Sequence, residues 1–322
     1  MSDDGEMRYR PLGHSGLMVS VVGLGCNNFG RRIGPDETRA VVEAALDAGV
    51  NLLDTADTYG NRGGSETLLG EVLKGRRDDV VIATKFGSDM GGEYGDDRGA
   101  RGARRYIRRA VEGSLRRLQT DHVDLYQLHE PDPHTPIEET LAALDELVKE
   151  GKVRYVGSSN FDAWQVVDAD WVARRDHVGR FVSAQNEYSL LERGVERELA
   201  PACERYGVGI LPYFPLSSGL LTGKYRRGKP AGEGTRLAGR EDELTDDVFD
   251  RLEALEKFAA ERGVALLDVA IGGLAAQPAV ASVIAGATKP EQVRANVAAG
   301  TWIPGPEDLS ALDRVVPSPR EH

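Results

Sequence analysis

Short apolar runs rich in β-branched residues alternate with longer amphipathic stretches along almost the whole chain. That alternation constrains the fold more than any other feature of the sequence. A strand followed by a helix long enough to cross back delivers the next strand parallel to the first, so repetition of the unit builds a parallel sheet covered by helices. Strands are predicted over residues 19–25, 51–54, 80–85, 123–129, 153–158, 181–186, 209–212 and 281–285. Helices are predicted over 37–48, 65–74, 103–118, 137–149, 163–174, 195–206, 247–262 and 290–299. Eight of each predict an α/β protein of the closed (β/α)8 TIM-barrel type, and 322 residues suit one such barrel as a single domain over 1–322.

The helix at 137–149 shows the periodicity. Ile137, Leu141, Leu144, Leu147 and Val148 recur at three and four residues, glutamates take the other face, and Gly151 supplies a C-terminal stop. Ahead of the first strand, 9–19 carries a Gly-His-Ser-Gly turn between two extended pieces and reads as an N-terminal β-hairpin that plugs the bottom of the barrel. Segment 265–287 is the most apolar, but Asp268, Gln277 and Pro278 within it indicate a buried helix and then a buried strand, not a membrane span. Loops 87–102 and 225–245 are long and follow strands on the side where barrels carry their sites, which suits lids or cofactor clasps. Trp164, Trp171 and Trp302 fall on helical or terminal segments and read as packing residues.

Charge narrows the possible partners. A formal net charge of -12 disfavours nucleic acid and anionic membrane, and the run Arg104, Arg105, Arg108, Arg109, Arg116, Arg117 reads as the solvated face of one helix. Cys26 and Cys203 form neither a disulfide framework nor a ligand cluster, so a reducing cytoplasm is the expected compartment. The start MSDDGEMRYR has acidic residues where a signal peptide needs basic and apolar ones, and no export signal is expected. His129, Glu130, Asp132 and His134 suggest a metal-dependent hydrolase as a rival function. Prolines 131, 133 and 136 stiffen that loop, however, and no second ligand cluster ends another strand, so no metal is expected. The oligomeric state stays open, with a monomer as the default.

Four residues fall at or just past the ends of the second, third and fourth predicted strands: Asp54 and Tyr59 in LLDTADTYG, Lys85 closing VVIATK, and His129 closing VDLYQLH. Strand ends of a barrel converge on one mouth, so these residues are expected to meet there. Together they suit reduction of a carbonyl. Hydride arriving on carbon builds negative charge on oxygen, and a nearby proton donor lowers that barrier. Tyr59 can donate, the Lys85 ammonium would bring down its ordinary pKa of about 10, Asp54 would pair with Lys85, and a neutral His129 would orient the substrate oxygen.

DTADTYG, the lysine after VVIAT, LHEPDP and VGSSNF, in this order, resemble the aldo-keto reductase family, and the resemblance covers essentially the whole chain. It implies that Asp54, Tyr59, Lys85 and His129 are the catalytic tetrad. It also implies a nicotinamide dinucleotide across the barrel mouth: Ser159, Asn160 and Gln185 on the carboxamide, Tyr213 stacked on the ring, Phe214, Pro215, Leu216 and Lys224 beside the pyrophosphate. Arg236 would reach the adenosine phosphate end, and Gly286, Thr288, Gln292 and Asn296 would close over the adenosine. Gly25, Cys26 and Asn27 of GLGCNNFG, whose spacing is not GxGxxG, are placed near the nicotinamide and substrate. The family's best-known pattern has a lysine and an arginine where this chain has Gly286 and Gln292. NADPH is therefore the expected cofactor through Arg236 or Lys289, with NADH left open. The implied partner is a small-molecule carbonyl substrate. Some members resemble potassium-channel β subunits, which makes a nicotinamide-nucleotide-binding regulatory or redox-sensing subunit with little turnover the alternative.

Overall fold

The computed structural model describes residues 6–232 and 235–319; Glu233 and Gly234 of the 225–245 loop, and the ends of the 1–322 span, lie outside the described residues. The chain begins with an antiparallel pair, β1 (Tyr9–Pro11) and β2 (Met18–Ser20). Strand–helix units follow: β3 (Val22–Gly25) and α1 (Pro35–Asp47), β4 (Leu52–Asp54) and α2 (Tyr59–Val72), β5 (Val81–Phe86) and α3 (Arg104–Leu118), β6 (Val123–Leu128) and α4 (Ile137–Lys149). Then come β7 (Val153–Ser159) and α5 (Ala163–Asp176), β8 (Phe181–Gln185) and α6 (Leu199–Tyr206), β9 (Gly209–Ile210), α7 (Asp246–Glu261) and α8 (Leu266–Ala275), β10 (Val283–Gly286) and α9 (Pro290–Ala299), and finally α10 (Pro306–Val315). The eight later strands form one parallel sheet in the order β10-β3-β4-β5-β6-β7-β8-β9. Ile210 joins the two edges, donating its N–H to Ala279 O at 2.7 Å and accepting from Ala281 N at 2.9 Å, so the (β/α)8 TIM barrel is closed.

Period-two alternation sorts side chains between the lumen and the helix layer. In β5, Val81 and Ala83 join the inner cluster and Ile82 and Phe86 the outer one, which makes Lys85 the next lumen position. The same parity carries Leu52 to Asp54 in β4 and Leu125 to Gln127 and His129 along β6. The functional candidates therefore continue the rows of apolar residues that fill the barrel.

The hairpin reaches the opposite, N-terminal end of the strands. Gly13 sits at φ +56°, where a Cβ would come within 2.6 Å of both Gly207 O and Val182 O, and His14 N donates to Gly207 O at 2.7 Å. Only glycine tolerates both the left-handed backbone and that approach. The turn drives fully buried Leu12 into the inner cluster beside Leu52, Leu125 and Leu211.

Several boundaries differ from expectation. The single strand expected over 19–25 divides at Val21: Val19 and Ser20 pair with Arg10 and Tyr9, whereas Val22 onward pairs with β10 and β4. Residues 195–206 resolve into a 3-10 turn, Gly194–Glu196, and then α6. The helix packed against β10 and α9 is α8, not 247–262; α7 packs against α8 and α10, and α10 was not expected. Trp164 and Trp171 are exposed on α5 rather than packed, whereas Trp302 is partly buried against the core. Among the described residues, no helix is long and apolar enough to cross a membrane.

Candidate active site

A cavity of about 1130 Å³ opens at the C-terminal ends of the barrel strands. All seventeen residues expected to hold a cofactor line it: Gly25, Cys26, Asn27, Asp54, Ser159, Asn160, Gln185, Tyr213, Phe214, Pro215, Leu216, Lys224, Arg236, Gly286, Thr288, Gln292 and Asn296. Tyr59 and His129 line it too. Lys85 lies just beneath, fully buried, with its Nζ donating to Asp54 Oδ2 at 2.8 Å, Thr55 O at 2.9 Å and Tyr59 Oη at 3.3 Å. Asp54 is thus held from both sides, because Gln185 Nε2 donates to its Oδ1 at 2.8 Å.

A fully buried ammonium with a carboxylate at hydrogen-bond distance is stabilised as a pair, and either charge alone would be costly. Burial alone would lower the Lys85 pKa, but Asp54 and Tyr59 outweigh it and hold the ammonium above the ordinary lysine value. Lys85 pulls the Tyr59 phenol down, as expected, but the net shift is upward. Burial is the dominant influence and raises its pKa; Lys85 offsets this in part, and Asp54 adds to the rise. Desolvation here exceeds the attraction to one ammonium that Asp54 already shares. His129 is pushed down to about 3, first by burial and then by Lys85, so its ring is neutral. Its Nδ1 is buried without a hydrogen-bond partner, which leaves Nε2 as the nitrogen a ligand can meet. Tyr59 and His129 stand edge to face, ring centroids 6.0 Å apart.

The opposite wall is prearranged by its own hydrogen bonds. Asn160 donates from Nδ2 to His129 O at 3.0 Å and accepts from Tyr213 Oη at 2.9 Å, despite a left-handed backbone at φ 59°. Across the mouth, Arg236 donates to Asn27 Oδ1 and Asn28 Oδ1 at 3.2 and 3.3 Å and lies over the Phe214 ring, so the 225–245 connection is tied to the β3 loop. Thr288 N donates to Gln292 Oε1 at 2.8 Å at the start of α9. Lys289 is not among the lining residues.

Three features escaped the sequence. First, a left-handed turn at Gly60, Asn61, Arg62 and Gly63, with φ 68, 60, 67 and 104°, precedes the right-handed helix expected from Ser65. Left-handed backbone costs roughly 1–2 kcal/mol at each non-glycine residue, and here it brings Asn61 and Arg62 to the cavity beside Tyr59. The Asn-Arg-Gly-Gly string was a turn signal that the apolar periodicity after it overshadowed. Second, Arg117 is not on a solvated face. It turns inward to Glu66 Oε2 at 2.7 Å, Tyr94 Oη at 2.7 Å and Glu93 Oε1 at 2.9 Å. Third, Asp57 is fully buried beneath the Tyr59 turn; neither carboxylate oxygen has a well-aligned donor, and burial, then Glu66, raise its pKa well above the carboxylate range against the pull of Arg117. Among the described residues, no group of three or more His, Cys, Asp or Glu could hold a metal ion.

The fold and cavity define an enzyme-like (β/α)8 barrel with polar groups gathered at one mouth. The chain belongs to the aldo/keto reductase family, whose family model matches residues 21–316. It is 39% identical over 325 residues to a probable voltage-gated potassium channel subunit beta of Oryza sativa subsp. japonica, covering 97% of each chain. It is 38% identical to the uncharacterized oxidoreductase YrpG of Bacillus subtilis, with 97% of each chain covered. With the L-glyceraldehyde 3-phosphate reductase of Escherichia coli it shares 34% identity over 92% of this chain and 88% of that protein. The chain is accordingly an oxidoreductase of this family.

Proposed function

We propose that the protein reduces an aldehyde or ketone to an alcohol with NADPH, and that Tyr59 is the proton donor. The observation that carries this reading is the contact of Lys85 Nζ with both Asp54 Oδ2 and Tyr59 Oη, 2.8 and 3.3 Å, at the floor of a cavity that also exposes His129. The raised Tyr59 pKa keeps the phenol protonated through the neutral range, and a carbonyl oxygen gaining charge becomes the stronger base as reaction proceeds. The Lys85 ammonium then stabilises the phenolate left behind, and Asp54 fixes that ammonium in place. Neutral His129 offers Nε2 as a donor to the carbonyl oxygen and takes no proton itself.

The cavity suits a nicotinamide dinucleotide, which when bound supplies the hydride. Gln185 spends Nε2 on Asp54 and keeps Oε1 for a carboxamide, Ser159 and Asn160 stand beside it, and the Tyr213 ring adjoins. Lys224 and Arg236 supply cations for the pyrophosphate and adenosine phosphate. Arg236 rather than Lys289 favours NADPH, since only Arg236 lines the cavity. A specific observation supports a second reading, a nucleotide-binding subunit with little turnover: the similarity to proteins named potassium channel β subunits extends over 97% of the chain.

Titration with NADPH and NADH, followed by aldehydes and ketones in the same sample, separates the two. Binding with turnover supports the reductase; tight binding without turnover supports the second reading; no binding overturns both. Arg236→Ala is expected to weaken NADPH more than NADH, and equal losses would move the 2′-phosphate contact elsewhere.

A further inference from the structure

The chain carries a net charge of -12, yet the rim of its cavity is cationic. Arg31, Arg32, Arg62, Lys224 and Arg236 line it against the carboxylates of Asp54 and Asp89. Asp54 is committed to Lys85, while Asp89 lies 3.4 Å from Arg101 and accepts from Gly91 N at 2.7 Å. Arg62 forms no salt bridge among the described residues.

Barrel order separates these cations into two groups. Lys224 and Arg236 belong to the connection after β9, and Arg31 and Arg32 are close enough to Arg236 to lower its pKa, after the larger effect of burial. That group faces the proposed cofactor, most of whose remaining contacts come from the ends of β3, β7, β8 and β10. Arg62 stands apart. It follows β4, three residues beyond Tyr59, and its guanidinium lies against the loop after β5: a Cβ on Gly91 would come within 2.4 Å of Arg62 Cζ. The left-handed turn fixes this placement, with exposed Asn61 beside it. Phe214 is the one phenylalanine, and there is no tryptophan, among the described lining residues. An unpaired cation next to the proton donor, away from the dinucleotide wall, is placed to meet charge brought by the substrate.

We infer that Arg62 is the anion-binding group of a substrate subsite, so that the preferred carbonyl compound carries a carboxylate or a phosphate. The inference rests on the reductase reading of the same cavity and adds the substrate class. Arg62 acts through binding and takes no part in proton transfer.

Two matched pairs test it: 4-carboxybenzaldehyde against methyl 4-formylbenzoate for a carboxylate, and glycolaldehyde phosphate against glycolaldehyde for a phosphate. Initial rates with NADPH are measured for the full chain and for Arg62→Gln, in which an exposed side chain changes and folding is not at stake. The wild type is expected to prefer at least one anion over its neutral partner in kcat/KM, and Arg62→Gln is expected to shrink that preference about tenfold or more. Whichever pair responds tells carboxylate from phosphate. Turnover of the neutral compounds with no anionic preference, or a variant that lowers both members of each pair equally, overturns this inference and leaves the reductase reading standing. No turnover of any of the four overturns the reductase reading, and this inference with it.

Discussion

Replacing Lys85 with Met removes the one cation that compensates Asp54 inside the barrel. Lys85 is fully buried, the Asp54 side chain is 4% exposed, and the two are 2.8 Å apart. With Lys85 gone, the Gln185 amide is the remaining side-chain donor to the carboxylate. Breaking one side of such a pair costs about 3–5 kcal/mol, because the surviving charge stays buried. Asp54→Asn leaves the opposite charge stranded and presents an amide donor to either Lys85 or Gln185, so a similar cost is expected. With an unfolding entropy of roughly 2.1 cal/mol/K per residue, a chain of 322 residues loses about 1.5 °C of Tm per kcal/mol. Each single variant should therefore melt about 4–7 °C below the wild type. The double variant Lys85→Met, Asp54→Asn buries no net charge, and it should fall short of the summed losses by about 2–3 kcal/mol of coupling. Scanning calorimetry of the four proteins measures this. Losses that simply add, or a neutral Lys85→Met, would refute the view that each charge is tolerated because of the other.

Two further outcomes follow from burial. His129 has an ordinary pKa of 6.5 but is held near 3 in the folded protein, so the unfolded chain takes up its proton first as pH falls. Stability should therefore decline from about pH 6.5 downward by at most about 1.4 kcal/mol per pH unit; urea midpoints for wild type and His129→Gln at pH 7 and 5 check it, and identical slopes would count against a buried neutral ring. Gly13→Ala meets both a φ of +56° and backbone oxygens at 2.6 Å, and should destabilise by more than 1 kcal/mol, roughly the limit of strain-free glycine replacements; a thermal melt unchanged from wild type would show that the hairpin does not plug the barrel as described.

The fold was legible because period-two strands and period-3.6 helices leave a repeated mark, and each strand read from sequence overlaps an observed one. What misled was the role of one helix. The 247–262 stretch is as amphipathic as a ring helix, but its apolar face packs on α8 and α10, and periodicity cannot say which neighbour receives a face. The break at Val21 was hidden because Val19 through Gly25 is apolar apart from Ser20, and Val19 and Ser20 pair within the hairpin. At the candidate site, the residues gathered around the cavity were readable as strand ends. Arg62 and Asp57 were not, since their placement depends on four consecutive left-handed residues and on a depth of burial that polar side chains seldom reach. The lowering of the Tyr59 pKa expected from sequence failed for a related reason: a lysine neighbour can be read from a motif, but the water excluded from both cannot.

The most direct test of the central claim is single-turnover reduction of an aldehyde by the NADPH complex of wild type and of Tyr59→Phe, with cofactor affinity measured by tryptophan quenching on the same samples. The account predicts that removing one hydroxyl leaves the dissociation constant for NADPH within about twofold while the rate falls by about 10²–10⁴, the usual contribution of a positioned proton donor. A variant that reduces the aldehyde at the wild-type rate would contradict it.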